Sequence, residues 1–83
     1  MQRAPGIRAK ILMTPENFDR LAARTRLRAD ARQMARRILV DGLSAAAAGR
    51  ECGKSRALAS RAEWRIRALA EAEGCCRCCG RPL

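Results

Sequence analysis

Residues Ala48–Ser55 read AGRECGKS: a small residue and four open positions before Gly-Lys-Ser, the spacing of a phosphate-binding loop. Such a loop cradles phosphates on backbone amides between a β-strand and a helix, and its lysine reaches the outer phosphates. The flanking residues do not supply that frame. Ala45–Ala48 favour helix where a strand is needed, and nothing downstream resembles a strand-borne acidic ligand for magnesium. At 83 residues the chain is also too short for the usual nucleotide-binding α/β domain. It has no histidine and no tyrosine, so the usual proton carriers of catalysis are missing. No enzyme and no small-molecule substrate is expected.

A second cluster is CCRCCGRPL, which holds Cys75, Cys76, Cys78 and Cys79. Cys76-x-x-Cys79-Gly80 has the form of a zinc knuckle, in which glycine lets backbone amides point at the thiolates. Cys75 and Cys78 make an overlapping pair of the same spacing. One tetrahedral ion wants two such pairs separated by a loop, and these four residues lie too close together to make that site easily. Two readings stand. Two chains each supply a pair and share zinc, which would also make a homodimer; or the segment is half a zinc ribbon, or a reactive tail without a set structure. Zinc is the one cofactor in view. Cys52, apart from this cluster, reads as a small packed residue.

The third chemical feature is charge. Lys and Arg number 18 against 8 acids, a formal +10, and nearly all the cations are arginine. Arginine presents planar, two-pronged donors that suit phosphates and guanine edges. A small, strongly basic domain carries the electrostatic footprint of a polyanion binder, although solvated helix faces give the same composition. No apolar run is long enough to span a bilayer, and no signal-peptide core is present, so membrane attachment is not expected. An odd set of five cysteines without an export signal suits a reducing cytoplasm.

The elements that must position these groups are helical. Alanine is abundant and β-branched residues are scarce, which predicts an all-α fold: a small four-helix domain. Residues 1–12 read as a flexible basic N-terminal arm, 13–73 as the helical domain and 74–83 as the cysteine-rich tail. Met13 is a possible alternative start of translation. Thr14 caps a first helix with Pro15 at its first position. Ala31, Met34, Ala35, Ile38 and Leu39 form the apolar stripe of a second, stopped at Asp41-Gly42. Ser44 caps a short third helix from Ala45 to about Glu51. Cys52-Gly53-Lys54 makes a turn, and Ser55 caps a fourth helix to about Ala72.

Short helix, glycine turn and longer helix form the pattern of a helix-turn-helix. A twenty-residue frame from Ala45 to Trp64 puts Gly49 where two backbones approach and Gly53 where the turn needs positive φ. At 100° per residue, Leu58, Ala62, Ile66 and Leu69 fall within roughly 80° and define the expected buried side. The outward set is Arg56, Ala57, Ser60, Arg61, Trp64 and Arg67. The frame independently selects Ser55, Arg56, Ala57, Ser60, Arg61 and Trp64 to reach the major groove of double-stranded DNA. Arg61 is the first choice for a guanine contact; Arg56 reads a base or clamps a phosphate. Ser55 and Ser60 donate to phosphate or base edges. Trp64 presses on sugar or thymine methyl groups, or packs against a partner protomer. The competing functions are a zinc-knuckle adaptor and a nonspecific, charge-driven nucleic-acid binder.

From Met13 to about Arg67 the chain resembles the TrfB/KorA-type plasmid transcriptional repressors. The residues that carry the resemblance are MTPENFDRLA, with Phe18 in it, then ARRILVDG directly before the helix-turn-helix frame. The resemblance implies an all-helical DNA-binding domain that represses transcription from palindromic operators as a dimer. It also implies base reading from the position of Arg61, where that family has glutamine; its threonine and lysine correspond to Ser55 and Arg56. Arginine for glutamine changes the base preferred, so the operator does not carry over. Alanines stand at Ala48 and Ala59 where that family has bulkier residues, and its C-terminal dimerisation segment is absent.

Overall fold

A computed structural model describes residues 12–82; the expected basic arm, except for Leu12, lies outside them. Four helices follow in order: α1 (Pro15–Ala22), α2 (Ala29–Leu39), α3 (Ala45–Glu51) and α4 (Arg56–Ala72). The all-helical expectation is met, and among the described residues the one β-type pairing is an isolated bridge between Cys75 and Pro82. No helix among the described residues is long and apolar enough to cross a membrane.

The helix starts follow from side chains that satisfy otherwise unpaired amides. Thr14 Oγ1 accepts the Asn17 N–H at 3.1 Å, Ser44 Oγ the Ala47 N–H at 3.1 Å, and Ser55 Oγ the Leu58 N–H at 3.2 Å. α2 begins at Arg28 without such a cap, and Asp30 in its first turn complements the helix dipole instead.

Two apolar clusters hold the helices together. Met13, Phe18, Leu21, Leu39 and Ile66 join α1, α2 and α4, with Ala22, Ala35, Ala62 and Ala70 between them. Met34, Ile38, Ala48 and Ala59 join α2, α3 and α4. Alanine at both 48 and 59, each fully buried, lets α3 and α4 lie close.

The buried side of α4 departs from the expected one. Ala59, Ala62, Ile66 and Ala70 face inward, whereas Leu58, expected inside, is 44% exposed. The helix is turned by about 50° from the leucine-centred face, at 100° per residue. The cause lies at Gly49. A Cβ there would stand 2.7 Å from the Ser55 carbonyl oxygen, so the start of α4 lies against the α3 backbone. That approach seats Ala59 in the cluster with Ala48 and leaves Leu58 on the rim of the α2–α4 groove.

The cysteine-rich segment does not hang free. Cys75 belongs to the first core cluster, and its N–H bonds the Ala70 carbonyl at 2.7 Å.

Glycine-to-alanine exchange inside a helix ordinarily adds up to about 1 kcal/mol. Gly49→Ala is expected to do the reverse, costing ~1–2 kcal/mol, because the atom it meets is backbone and cannot swing aside. Gly53, at φ +67° with open space around it, should accept asparagine at a cost of about 0.5 kcal/mol or less. Urea and thermal unfolding followed by circular dichroism check both signs.

Candidate nucleic-acid interface

The turn between α3 and α4 is a backbone construction. The Gly49 carbonyl accepts N–H groups from Cys52 at 3.2 Å and Lys54 at 2.7 Å, and the Gly53 N–H bonds the Arg50 carbonyl at 3.1 Å. Gly53 supplies the positive φ expected of it. Lys54 does not project as a phosphate ligand would. Its Nζ pairs with Asp30 Oδ2 of α2 at 3.3 Å and ties the turn to that helix. The hydrogen bond from Lys54, helped by the Ala31 N–H at 2.8 Å, holds the Asp30 carboxyl below the ordinary aspartate value. The phosphate-loop pattern therefore folds as a helical corner.

Beyond that corner, Ser55, Arg56, Ala57 and Arg61 are exposed as expected, and Ser60 is half-buried. Trp64 is 56% exposed, but the Arg77 guanidinium lies 4.7 Å from its ring centroid and occupies one ring face. Arg67, assigned outward from the sequence, turns aside. It pairs with Glu63 at 2.8 Å and donates to the Arg77 carbonyl at 2.7 Å, so it ties the C-terminal segment to α4. Ala62 lies inside, as expected, and Leu58 does not.

Sequence reasoning passed over Arg65. It is exposed one turn beyond Arg61, and an i, i+4 pair of arginines on a helix otherwise poor in outward acids was the available signal. Among the described residues Arg56, Arg61 and Arg65 enter no ion pair, as is true of Arg20, Arg26, Arg28, Arg32, Arg50 and Arg81, whereas Arg24, Arg36, Arg37, Arg67 and Arg77 do. Arg37 illustrates the contrast. It lies between Asp41 at 3.1 Å and Glu51 at 3.2 Å, the second contact being Coulombic without hydrogen-bond alignment. Arg61 and Arg65, with Arg26, Arg28 and Lys54, ring an open cavity of about 310 Å³ between α2 and α4. Leu27, Met34 and Leu58 add apolar lining.

The thiols separate into distinct environments. Cys75 is buried, while Cys76, Cys78 and Cys79 are partly exposed, and all are free of disulfides. Backbone N–H groups of Cys79 and then Cys78 lower the pKa of the Cys76 thiol, the latter at 3.4 Å from its sulfur. Among the described residues no group of three or more His, Cys, Asp or Glu side chains is placed to hold a metal ion.

No protein-family model, curated protein or solved structure matches this chain. Geometry and charge therefore carry the functional reading.

The Asp30–Lys54 pair gives a pH-dependent prediction. Because the folded Asp30 value is depressed, its stabilisation is fully present above the ordinary value of 3.8 and is lost as pH falls through the folded value. Asp30→Asn should melt below the native chain at neutral pH, and the difference should vanish in acid. Thermal melts across that range measure it.

Proposed function

We propose that this chain is a sequence-specific, double-stranded DNA-binding transcriptional regulator of the repressor type. In this reading α3, the turn and α4 form a helix-turn-helix, with α4 as the element that enters the major groove. The supporting observation is that Arg61 and Arg65 stand exposed on one flank of α4 and Arg56 stands exposed at its start, none of them with an acidic partner among the described residues. The 17 residues of α4 span roughly 25 Å at 1.5 Å each, so its first turns can lie in a groove about 12 Å wide while its later turns stay in the core.

Roles follow from placement. Arg61 reads a guanine edge from the exposed face about one and a half turns into α4, and Arg56 at the helix start contacts a base or a phosphate. Ser55 is tied to the Leu58 N–H as a cap, which leaves its hydroxyl proton free to donate to a phosphate. Arg65, with Arg26 and Arg28 around the adjacent groove, forms a cationic rim suited to the sugar-phosphate backbone. Trp64 keeps one ring face for a sugar or a thymine methyl, since Arg77 covers the other. The resemblance of residues 13–67 to the TrfB/KorA-type repressors supports the same assignment and suggests action as a dimer on a palindromic site. A cytoplasmic location accords with this role.

Selection from a random duplex library tests the reading. An enriched motif is the expected result; recovery without any motif would instead identify a charge-driven binder. Arg61→Ala should relax the preference at one base pair, at a cost of roughly 1–3 kcal/mol. Arg65→Ala should weaken all duplexes alike and reduce the slope of affinity against salt by about one ion.

A further inference from the structure

Residues Cys75–Pro82 contain little apolar material, yet main-chain bonds hold them in one shape. The Cys76 N–H bonds the Arg81 carbonyl at 2.8 Å, and the Gly80 N–H returns to the Cys76 carbonyl at 2.7 Å. Helix side chains then grip three further carbonyls. Asn17 Nδ2 donates to Cys79 at 3.1 Å, Arg20 donates to Gly80, and Arg67 donates to Arg77 at 2.7 Å. Gly80 sits so close to α1 that a Cβ would lie 3.2 Å from both Asn17 Cβ and Leu21 Cδ1.

What this clasp presents is sulfur. Cys76 Sγ accepts the Cys78 N–H at 3.4 Å and lies in hydrogen-bonding contact with the Cys79 thiol and, more weakly, with the Cys78 thiol. Cys75 is set apart from these contacts. Cys75 is buried, with its sulfur 3.9 Å from both the Glu73 carbonyl and an Arg20 nitrogen. Cys78, whose thiol also touches Cys76, lines a separate cavity with Leu12, Ile38 and Leu43.

We infer that Cys76 and Cys79 form a two-thiolate half-site for zinc, completed by the same pair from a second copy of this chain. Structural zinc takes four ligands in a tetrahedron, and the described residues of one chain offer no group of three. A two-fold axis through the ion lets identical chains each supply two sulfurs, so one knuckle serves both sides. The turn geometry suits the ion, because N–H groups directed at a sulfur favour its thiolate form. Each of the four thiols gives its proton to the buffer as a zinc–sulfur bond replaces S–H, and no group is oxidised or reduced. The resulting centre carries two negative charges. Repulsion between two +10 chains opposes association, but salt screens it beyond about 8 Å, whereas metal–sulfur bonds form at contact.

The test needs no nucleic acid, so its outcome is separate from the DNA-binding reading. The full chain, reduced with a phosphine, is titrated with cobalt(II) and with zinc in about 0.5 M salt, where repulsion is short-ranged. Thiolate-to-cobalt charge transfer and tetrahedral d–d bands should saturate at one ion per two chains, and sedimentation should show the mass doubling with metal. Cys78→Ser should retain both signals; Cys76→Ser with Cys79→Ser should lose both while the helical circular dichroism persists. One ion per chain at monomer mass would overturn the shared site, as would the absence of bands in tenfold excess metal. The native-chain stoichiometry decides the matter even if the double variant does not fold.

Discussion

The close approach of α3 to the start of α4 is the constraint on which the rest of this structure depends. It exists because residue 49 has no side chain: the space a Cβ would take is filled by the backbone of Lys54 and Ser55. The Lys54 N–H closes onto the Gly49 carbonyl at 2.7 Å, which fixes where α4 begins and how it is rotated. From that start, residues 59, 62, 66 and 70 turn inward and 61 and 65 outward, as 3.6 residues per turn require. The same corner places Lys54 beside Asp30, so the lysine that mimics a nucleotide-binding motif becomes a strut between the turn and α2.

A corner that tight demands small residues, and the core is thin as a result. The largest fully buried side chains are Phe18, Leu21, Leu39 and Ile66, each worth about 1.5–3 kcal/mol by burial. Alanine at 48, 59, 62 and 70 adds close packing but little area. The segment after α4 compensates by a different route. Asn17, Arg20 and Arg67 bind its carbonyls, Arg24 reaches Glu73 at 2.9 Å, and Cys75 extends the apolar cluster. Polar anchors of this kind cover α1 without lengthening the hydrophobic core.

The helices were legible because their signals are local. Thr14, Ser44 and Ser55 cap the helices they announce, and the glycine at 53 has the positive φ that the turn spacing required. What was not legible depends on contacts between elements. Leu58 outweighs Ala59 on any hydrophobic scale, so an amphipathic analysis centres the buried face on the leucine; only the backbone approach at Gly49 reverses that order. Arg67 lies among outward residues on a helical wheel, yet its position is set by Glu63 and by a carbonyl ten residues on, which no wheel contains. The cysteine-rich segment looked unanchored because its anchors are polar side chains, Asn17 and Arg20 on α1, far away in sequence, and Arg67 on α4. For the candidate interface, the exposed positions of Arg56 and Arg61 were readable, and Arg65 was visible in the spacing but lay outside the frame used to select contacts.

Composition alone leaves ten cations without an acid to meet, so an unpaired arginine by itself says nothing about function. The placement of the acids says more. Asp19, Asp30, Asp41, Glu51, Glu63, Glu71 and Glu73 all join ion pairs, and several of those pairs link one element to another. None meets Arg56, Arg61 or Arg65. A helix face shaped only for solubility ordinarily interleaves acids at i, i+4, each pair adding a few tenths of a kcal/mol, and like charges at that spacing cost a similar amount. The Arg61–Arg65 flank therefore carries a small standing repulsion in the free chain, next to further cations at Arg26 and Arg28. A polyanion lying along α4 removes that repulsion and releases its own counterions in the same step. The flank is thus a surface whose electrostatic free energy falls on meeting phosphate, and the corner at Gly49 is what turns it outward to do so.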